Sequence, residues 1–561
     1  RVLFEGMTVV PVVCNVFATC LQIVRRAYMP GAISGCKGRI RHTAAGHTHA
    51  PSPSPGRRTH WARGMDRLRS RHAPAAVERR GCHGAREAAR RLARHGLREG
   101  GMAAVLCRNG LHVPPLLHAV HYVGAVYLPL NIRLSPPEIR DQLADAGCRL
   151  LICDEACAGL AEAVRKMQPE LAILPASFLL EEGADAVSGV DPDDEGGDIL
   201  LKGEIDFSAV STVMYTSGTT GRPKGVIHTF GNHWASAIGS ALNLGLGERD
   251  RWLVALPLFH VGGLSALMKN VIYGMPVVIH DKFDPERANR AIVEQGVTIV
   301  SVVTQMLSRM LEQLGERRYP DSFRCMLLGG GPAPLSLLEA CRKRGVPVFQ
   351  TYGLTETASQ IATLAPEFAL AKLGSAGKPF FQSELKIVID GREASPGEAG
   401  EIAVRGPNVT PGYWNNPEAT ARAIRDGWLH TGDIGYVDEE GFLFVLDRRS
   451  DLIISGGENV YPAEIEAVLA GHPDIAEAGV AGVPDERWGK VPVAFVRTRP
   501  GARLTEEDVK QYCAARLARY KQPARIYFVE ELPRNAANKL VRKDLVRLLE
   551  SGSDGRGVTR P

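Results

Sequence analysis

The segment Tyr215-Thr-Ser-Gly-Thr-Thr-Gly-Arg-Pro-Lys-Gly-Val226 gathers glycines, hydroxyls and a lysine. Gly218 and Gly221 let the backbone approach an anion closely, while Thr216, Ser217, Thr219 and Thr220 supply hydroxyl and N–H donors and Lys224 a positive charge. Phosphate binding is the natural chemistry. The common nucleotide loop places Lys directly after its second Gly, whereas Arg222 and Pro223 intervene here. A solvated Gly/Ser/Thr turn is the blander reading, and so many specific residue types in order argue against it.

Such a loop needs a scaffold, and the surrounding sequence reads as alternating strands and helices. Apolar runs at 103–107, 149–153, 252–256, 276–279, 298–303 and 325–328 predict strands, with one more ending at Met214 just before the loop. Helical patterns fall at 85–93, 116–122, 286–295 and 335–344. This alternation predicts an α/β protein with layered, largely parallel sheets and flanking helices. Near residue 400 the texture changes to Gly-rich, shorter strands at 401–404, 441–446 and 478–483, and the charged run Asp447–Asp451 reads as a linker. The expected organisation is a leader over 1–83, a large domain over 84–446, a hinge over 447–451, a small mobile α+β domain over 452–548, with helices at 463–470 and 506–517, and a tail over 549–561.

A chain of 561 residues is long enough for two or more cores. Hydrophobic residues at 45% and charged residues at 23% exclude collagen, a coiled-coil rod and wholesale disorder. The formal charge of +5 divides unevenly: residues 1–80 hold 14 of the 67 basic residues and three of the 62 acidic ones, so the remainder is net −6. A whole-protein basic patch for nucleic acid therefore has little support. The apolar stretch 8–24 is short for a membrane span and is interrupted by Pro11, Asn15 and Gln22. Residues 1–83 lack periodicity, begin with Arg and change composition abruptly, so they read as disordered or mistranslated. Cys148, Cys153 and Cys157 form the closest group among eleven cysteines and read as reduced thiols of a cytoplasmic protein rather than a zinc site, and the His47–His49 cluster as an adventitious binder at most.

Four further segments follow the loop: Tyr352-Gly-Leu-Thr-Glu356, Thr431-Gly-Asp433, Asp447-Arg448 leading into Ser455-Gly-Gly-Glu-Asn-Val-Tyr-Pro462, and Pro533-Arg-Asn-Ala-Ala-Asn-Lys539. Taken with the loop and in this order, they resemble the signature motifs of the acyl-adenylate-forming enzymes. The resemblance spans about 215–540 and extends more weakly to residue 85. It implies that Glu356 offers a hard oxygen ligand to Mg²⁺, which neutralises the ATP phosphates, and that Thr355 donates to a phosphate oxygen. Tyr352 would contact adenine beside Gly330 and Gly331, or simply fill the core. Asp433 would accept from the ribose hydroxyls, and Arg448 would reach the same ribose, with a solvated linker charge as its alternative. Lys539 would stabilise charge at the α-phosphate. Ser450 occupies the hinge position, where the family often has Asp or Lys, and a hinge needs backbone tolerance more than a fixed side chain.

The implied reaction joins a carboxylic acid to AMP with release of pyrophosphate, then transfers the acyl group to CoA after the small domain rotates. ATP, CoA and Mg²⁺ are the expected cofactors and co-substrates, with no nucleic acid partner, no stable membrane insertion and homo-oligomerisation left open. Segments 255–274, 327–334, 373–379 and 446–462 resemble the branch of the family that activates 2-succinylbenzoate for menaquinone synthesis. His260, Thr304 and Gln305 are candidate liners of the acid pocket, a core histidine being the other reading of His260. A fatty-acyl- or arylacyl-CoA synthetase is the competing assignment.

Overall fold

The structure, a computed structural model, describes residues 9–10, 75–180, 201–216, 223–331, 333–448, 451, 453–455, 458–460, 462–485, 488–517, 519–534, 540–551 and 558–559. Most of the expected leader lies outside this set. The helix Ala75–Arg94 nevertheless begins inside it, and Val9–Val10 pair with Val277–Val278.

The first sheet runs in the order Ala172–Pro175, Leu150–Cys153, Met102–Leu106, Val126–Pro129, Val210–Thr216, Lys224–Thr229. All neighbours are parallel except the last two strands, which form an antiparallel hairpin. The strands Met102–Leu106, Val126–Pro129 and Leu150–Cys153 are buried at every position, as their unbroken apolar runs require when helices cover both faces. The crossover helix Pro136–Ala146 is set by local chemistry: the N–H and Oγ of Ser135 both donate to Glu138 Oε2, at 2.8 and 2.6 Å.

In the second sheet Val277–Ile279, Trp252–Val254, Ile299–Val302, Cys325–Leu328 and Val348–Tyr352 lie side by side and parallel. Beyond Tyr352 the sheet turns antiparallel through Ala362–Leu364, Ser375–Pro379, Leu443–Arg448, Trp428–Val437, Gly400–Arg405 and Glu384–Ile389. "Largely parallel" thus holds only for the α/β half. Past Tyr352 several neighbours, such as Val348–Tyr352 with Ala362–Leu364 and Trp428–Val437 with Leu443–Arg448, follow one another through loops that turn the chain back, which suits antiparallel pairing. Trp252, Leu116, Tyr127 and Leu264 belong to one apolar cluster, so the two sheets share a core.

The third sheet, built from Ile453–Ser455, Glu458–Val460, Ile475–Asp485, Gly489–Thr498, Arg525–Val529 and Val558–Thr559, has a core of its own around Ile453, Ile465, Val480, Val496 and Ile526. Helices Pro462–Ala470, Glu506–Ala514 and Arg542–Ser551 complete it. Two details differ from the sequence reading. Asp447 and Arg448, read as linker, extend a strand paired with Ile434 and Asp433. Part of the supposed tail, Val558–Thr559, pairs with Val529 and Phe528. Backbone pairing overrode the charge of the first segment and the brevity of the second. Among the described residues no helix is long and apolar enough to cross a membrane.

Candidate active site

The hairpin Val210–Thr216/Lys224–Thr229 closes with Thr216 opposite Lys224, so the two ends of the glycine- and hydroxyl-rich loop are pinned together. Ser217, Gly218, Thr219, Thr220 and Gly221 lie outside the described residues. Lys224 Nζ stands 5.3 Å from the centroid of the Tyr413 ring, and Tyr413 donates its hydroxyl to Glu356 Oε1 at 3.0 Å. Burial and the Glu356 charge push the Tyr413 hydroxyl well above its ordinary pKa, keeping it a neutral donor. A cation, a phenol and a carboxylate therefore meet at the foot of the loop. Glu356 offers the hard oxygen donors that a divalent magnesium ion prefers.

Glu356 sits in the short turn Thr355–Thr357, just beyond the strand Val348–Tyr352. The turn is possible because residue 353 is glycine: a Cβ there would lie 1.6 Å from the Ser359 carbonyl oxygen. His228 fixes the other side. Burial drives its pKa down to about 4, so the ring is neutral near pH 7. Its Nε2 lies 2.6 Å from the Thr355 carbonyl oxygen and must carry the proton, which leaves Nδ1 to accept from Thr212 Oγ1 at 3.0 Å. Thr212 Oγ1 in turn lies 3.0 Å from His233 Nε2, extending a buried chain from the helix Phe230–Leu244 to the turn.

Tyr352 ends its strand with its hydroxyl donated to Asp433 Oδ2 at 2.7 Å, and Asp433 is only 6% exposed. Arg448 faces Asp433 across the strand pair, known here from backbone register. Gly330 and Gly331 follow the adjacent strand Cys325–Leu328, Gly330 with φ +85°. His260 precedes the helix Val261–Tyr273, and Thr304 opens the helix Thr304–Leu314. These positions follow the C-terminal ends of neighbouring parallel strands, where open α/β sheets hold ligands.

Gln305 is exposed and turns outward, its Nε2 lying 3.2 Å from Glu477 Oε1 of the third sheet. Glu477 also pairs with Arg497 at 3.0 Å and Arg534 at 3.2 Å. Arg534 forms a bridge with Leu540, and these two residues flank 535–539. Lys539 and Ser450 lie outside the described residues. The contacts Gln305–Glu477–Arg534 nevertheless bring the base of the Lys539 segment against the strand end that carries Thr304.

Residues 83–414 match the family model described as AMP-binding enzyme, and residues 464–539 match that of the AMP-binding enzyme C-terminal domain. The chain is 59% identical to a 2-succinylbenzoate–CoA ligase of Geobacillus kaustophilus, over 82% of this chain and 90% of that one. The chain belongs to the AMP-binding enzyme family. The solved o-succinylbenzoate CoA synthetase of Bacillus subtilis in complex with the acyl-adenylate intermediate OSB-AMP superposes on this family member with a TM-score of 0.77, at 47% identity, covering 86% of this chain and 93% of that one. The same B. subtilis enzyme in complex with ATP and magnesium ion gives 0.76 at 48% identity, covering 83% and 93%.

Sequence reading of this AMP-binding enzyme missed Tyr413, His228 and Lys269. A lysine inside the apolar run 261–273 was the available signal for the last. Lys269 is 2% exposed, its Nζ 3.2 Å from Gln360 Oε1 and 5.2 Å from the centroid of the Trp252 ring. Burial pulls the ammonium pKa down to about 7, against 10.5 when solvated. Between these values the unfolded chain binds the extra proton, so stability should rise with pH there, by at most about 1.4 kcal/mol per pH unit, and flatten below pH 7. Lys269→Met should remove this rise from the melting temperature measured against pH. Parallel slopes for the two proteins would refute the assignment.

Proposed function

We propose that this chain is an ATP-dependent 2-succinylbenzoate–CoA ligase of menaquinone synthesis. The observation that carries the reading is the 59% identity to a ligase of that name across 90% of its length. The contacts that join Lys224, Tyr413 and Glu356, and Tyr352 with Asp433, support it.

In this reading ATP lies along the crevice with adenine against Tyr352 and Gly330–Gly331. Its ribose is held by Asp433 and Arg448, and its phosphates lie within Thr216–Gly221 and against Lys224 and Thr355. Glu356 would hold Mg²⁺, which supplies charge neutralisation when bound. One carboxylate oxygen of the acid attacks the α-phosphorus, an O–P bond forms, and the bond to the departing pyrophosphate breaks. Lys539 stabilises the charge on the α-phosphate oxygens. Domains over 84–446 and 452–548 then rotate about Ser450, the CoA sulfur attacks the acyl carbon after losing its proton, and AMP leaves. His260 and Thr304 line the acid pocket, with Gln305 at its edge against Glu477. The protein works in the cytoplasm without a nucleic acid partner.

Pyrophosphate release measured with 2-succinylbenzoate, benzoate and octanoate tests the substrate. Release should be fastest with 2-succinylbenzoate and should lead to a CoA thioester. Turnover of octanoate alone would replace the reading with a fatty-acyl-CoA synthetase.

A further inference from the structure

Away from the nucleotide crevice, the turn after Met102–Leu106 assembles a different set of side chains. Cys107, His112 and Asp154 each place a ligand atom within 4.8 Å of the other two, and His112 Nε2 lies 3.7 Å from Asp154 Oδ2. They converge because Met102–Leu106 and Leu150–Cys153 are adjacent parallel strands with Leu106 opposite Cys153, so residues just past both strands share one edge. Cys107 is 7% exposed. His112 Nε2 is buried and makes no hydrogen bond, which leaves a lone pair or a proton uncompensated. The ring occupies that place because residue 110 is glycine: a Cβ there would lie 2.6 Å from His112 Cε1. The carboxylate is already aimed, with Asp154 Oδ2 accepting from the Arg108 N–H at 2.8 Å and Oδ1 from the Cys157 N–H at 2.9 Å. Backbone donors of this kind orient a ligating group from behind.

We propose that Cys107, His112 and Asp154 bind one zinc ion, with solvent in the fourth position. A thiolate, an imidazole and a carboxylate form a donor set suited to zinc, and bonds of about 2.0–2.3 Å require ligand atoms roughly 3.3–3.8 Å apart. The His112–Asp154 separation meets this as it stands, and all three ligand atoms already lie within 4.8 Å of one another. On binding, the thiol of Cys107 loses its proton to solvent. The ion would also clamp the turn that carries Asn109, whose Nδ2 donates to the Leu256 carbonyl and whose Oδ1 accepts from the Leu258 N–H, both at 2.9 Å. Those two bonds brace the segment leading into His260. Spacing in the sequence hid the set, since Cys107 and His112 are far along the chain from Asp154.

The test uses the full chain, stripped with a chelator and titrated with Co²⁺ and then Zn²⁺. About one equivalent should bind. The cobalt form should show a thiolate-to-metal charge-transfer band that zinc displaces, and zinc should raise the melting temperature. Cys107→Ser should abolish the band, and His112→Gln, which removes a ligand, should weaken zinc binding by more than the roughly 10–100-fold typical of losing a group behind a ligand. Cys148→Ser, which alters a buried thiol hydrogen-bonded to the Met102 carbonyl, should change neither. If one variant fails to fold, the other still decides the matter. Absence of a thiolate band, or equal zinc retention by wild type and a folded variant, would mean adventitious binding and overturn the proposal.

Discussion

Lys539→Ala is expected to slow acid-dependent pyrophosphate release by about 10²–10³-fold, the usual loss when one preorganised donor to developing charge is removed. Thioester formation from presynthesised acyl-adenylate and CoA should stay within a few-fold of wild type. The asymmetry follows from the proposed geometry. In that proposal Lys539 would serve the α-phosphate only while the small domain is docked for the first step, and another face would serve the second. Supporting this, Gln305, Glu477 and Arg534 bring the base of 535–539 to the end of the strand Ile299–Val302. Equal losses in both half-reactions would contradict a lysine used for one step alone, and an unchanged first step would remove Lys539 from the mechanism.

Glu356→Gln is the second large effect. The substitution preserves side-chain shape and an oxygen able to accept from Tyr413, but it removes the charge that a hard divalent cation requires. Metal stabilisation of transferring phosphoryl groups is worth several kcal/mol, so adenylation should fall by about 10²-fold or more, with the magnesium midpoint moved to higher concentration. Titration of pyrophosphate release against magnesium distinguishes the causes. A fall in rate with an unmoved midpoint would mean that Glu356 positions the turn and does not hold the ion.

The sequence was legible where chemistry is local. The apolar run 325–328 became the strand Cys325–Leu328, and the pattern at 335–344 became the helix Leu335–Lys343, because each is decided by burial within a few residues. The candidate loop, Tyr352, Glu356 and Asp433 were legible as motifs. What brings them together was not. Tyr413 reaches Glu356 from a segment that bridges to Val226 at the edge of the hairpin, and no periodicity announces that encounter. His228 looked like one residue of an alternating strand, and only the packed structure shows its ring against the Thr355 carbonyl. The linker reading began too early for a related reason: charges on Asp447 and Arg448 suggest solvent, yet their backbone is still committed to the strand opposite Asp433.

Glu477 has a consequence for how the two parts of the molecule separate. Its two guanidinium partners, Arg497 and Arg534, belong to its own side of the boundary, and across that boundary it meets, among the described residues, the uncharged amide of Gln305. Parting this contact strands no ion at Glu477: the carboxylate leaves with its counter-charges, and water can take over one neutral amide. A contact of this kind is cheap to open and to re-form, which suits the domain rotation proposed above.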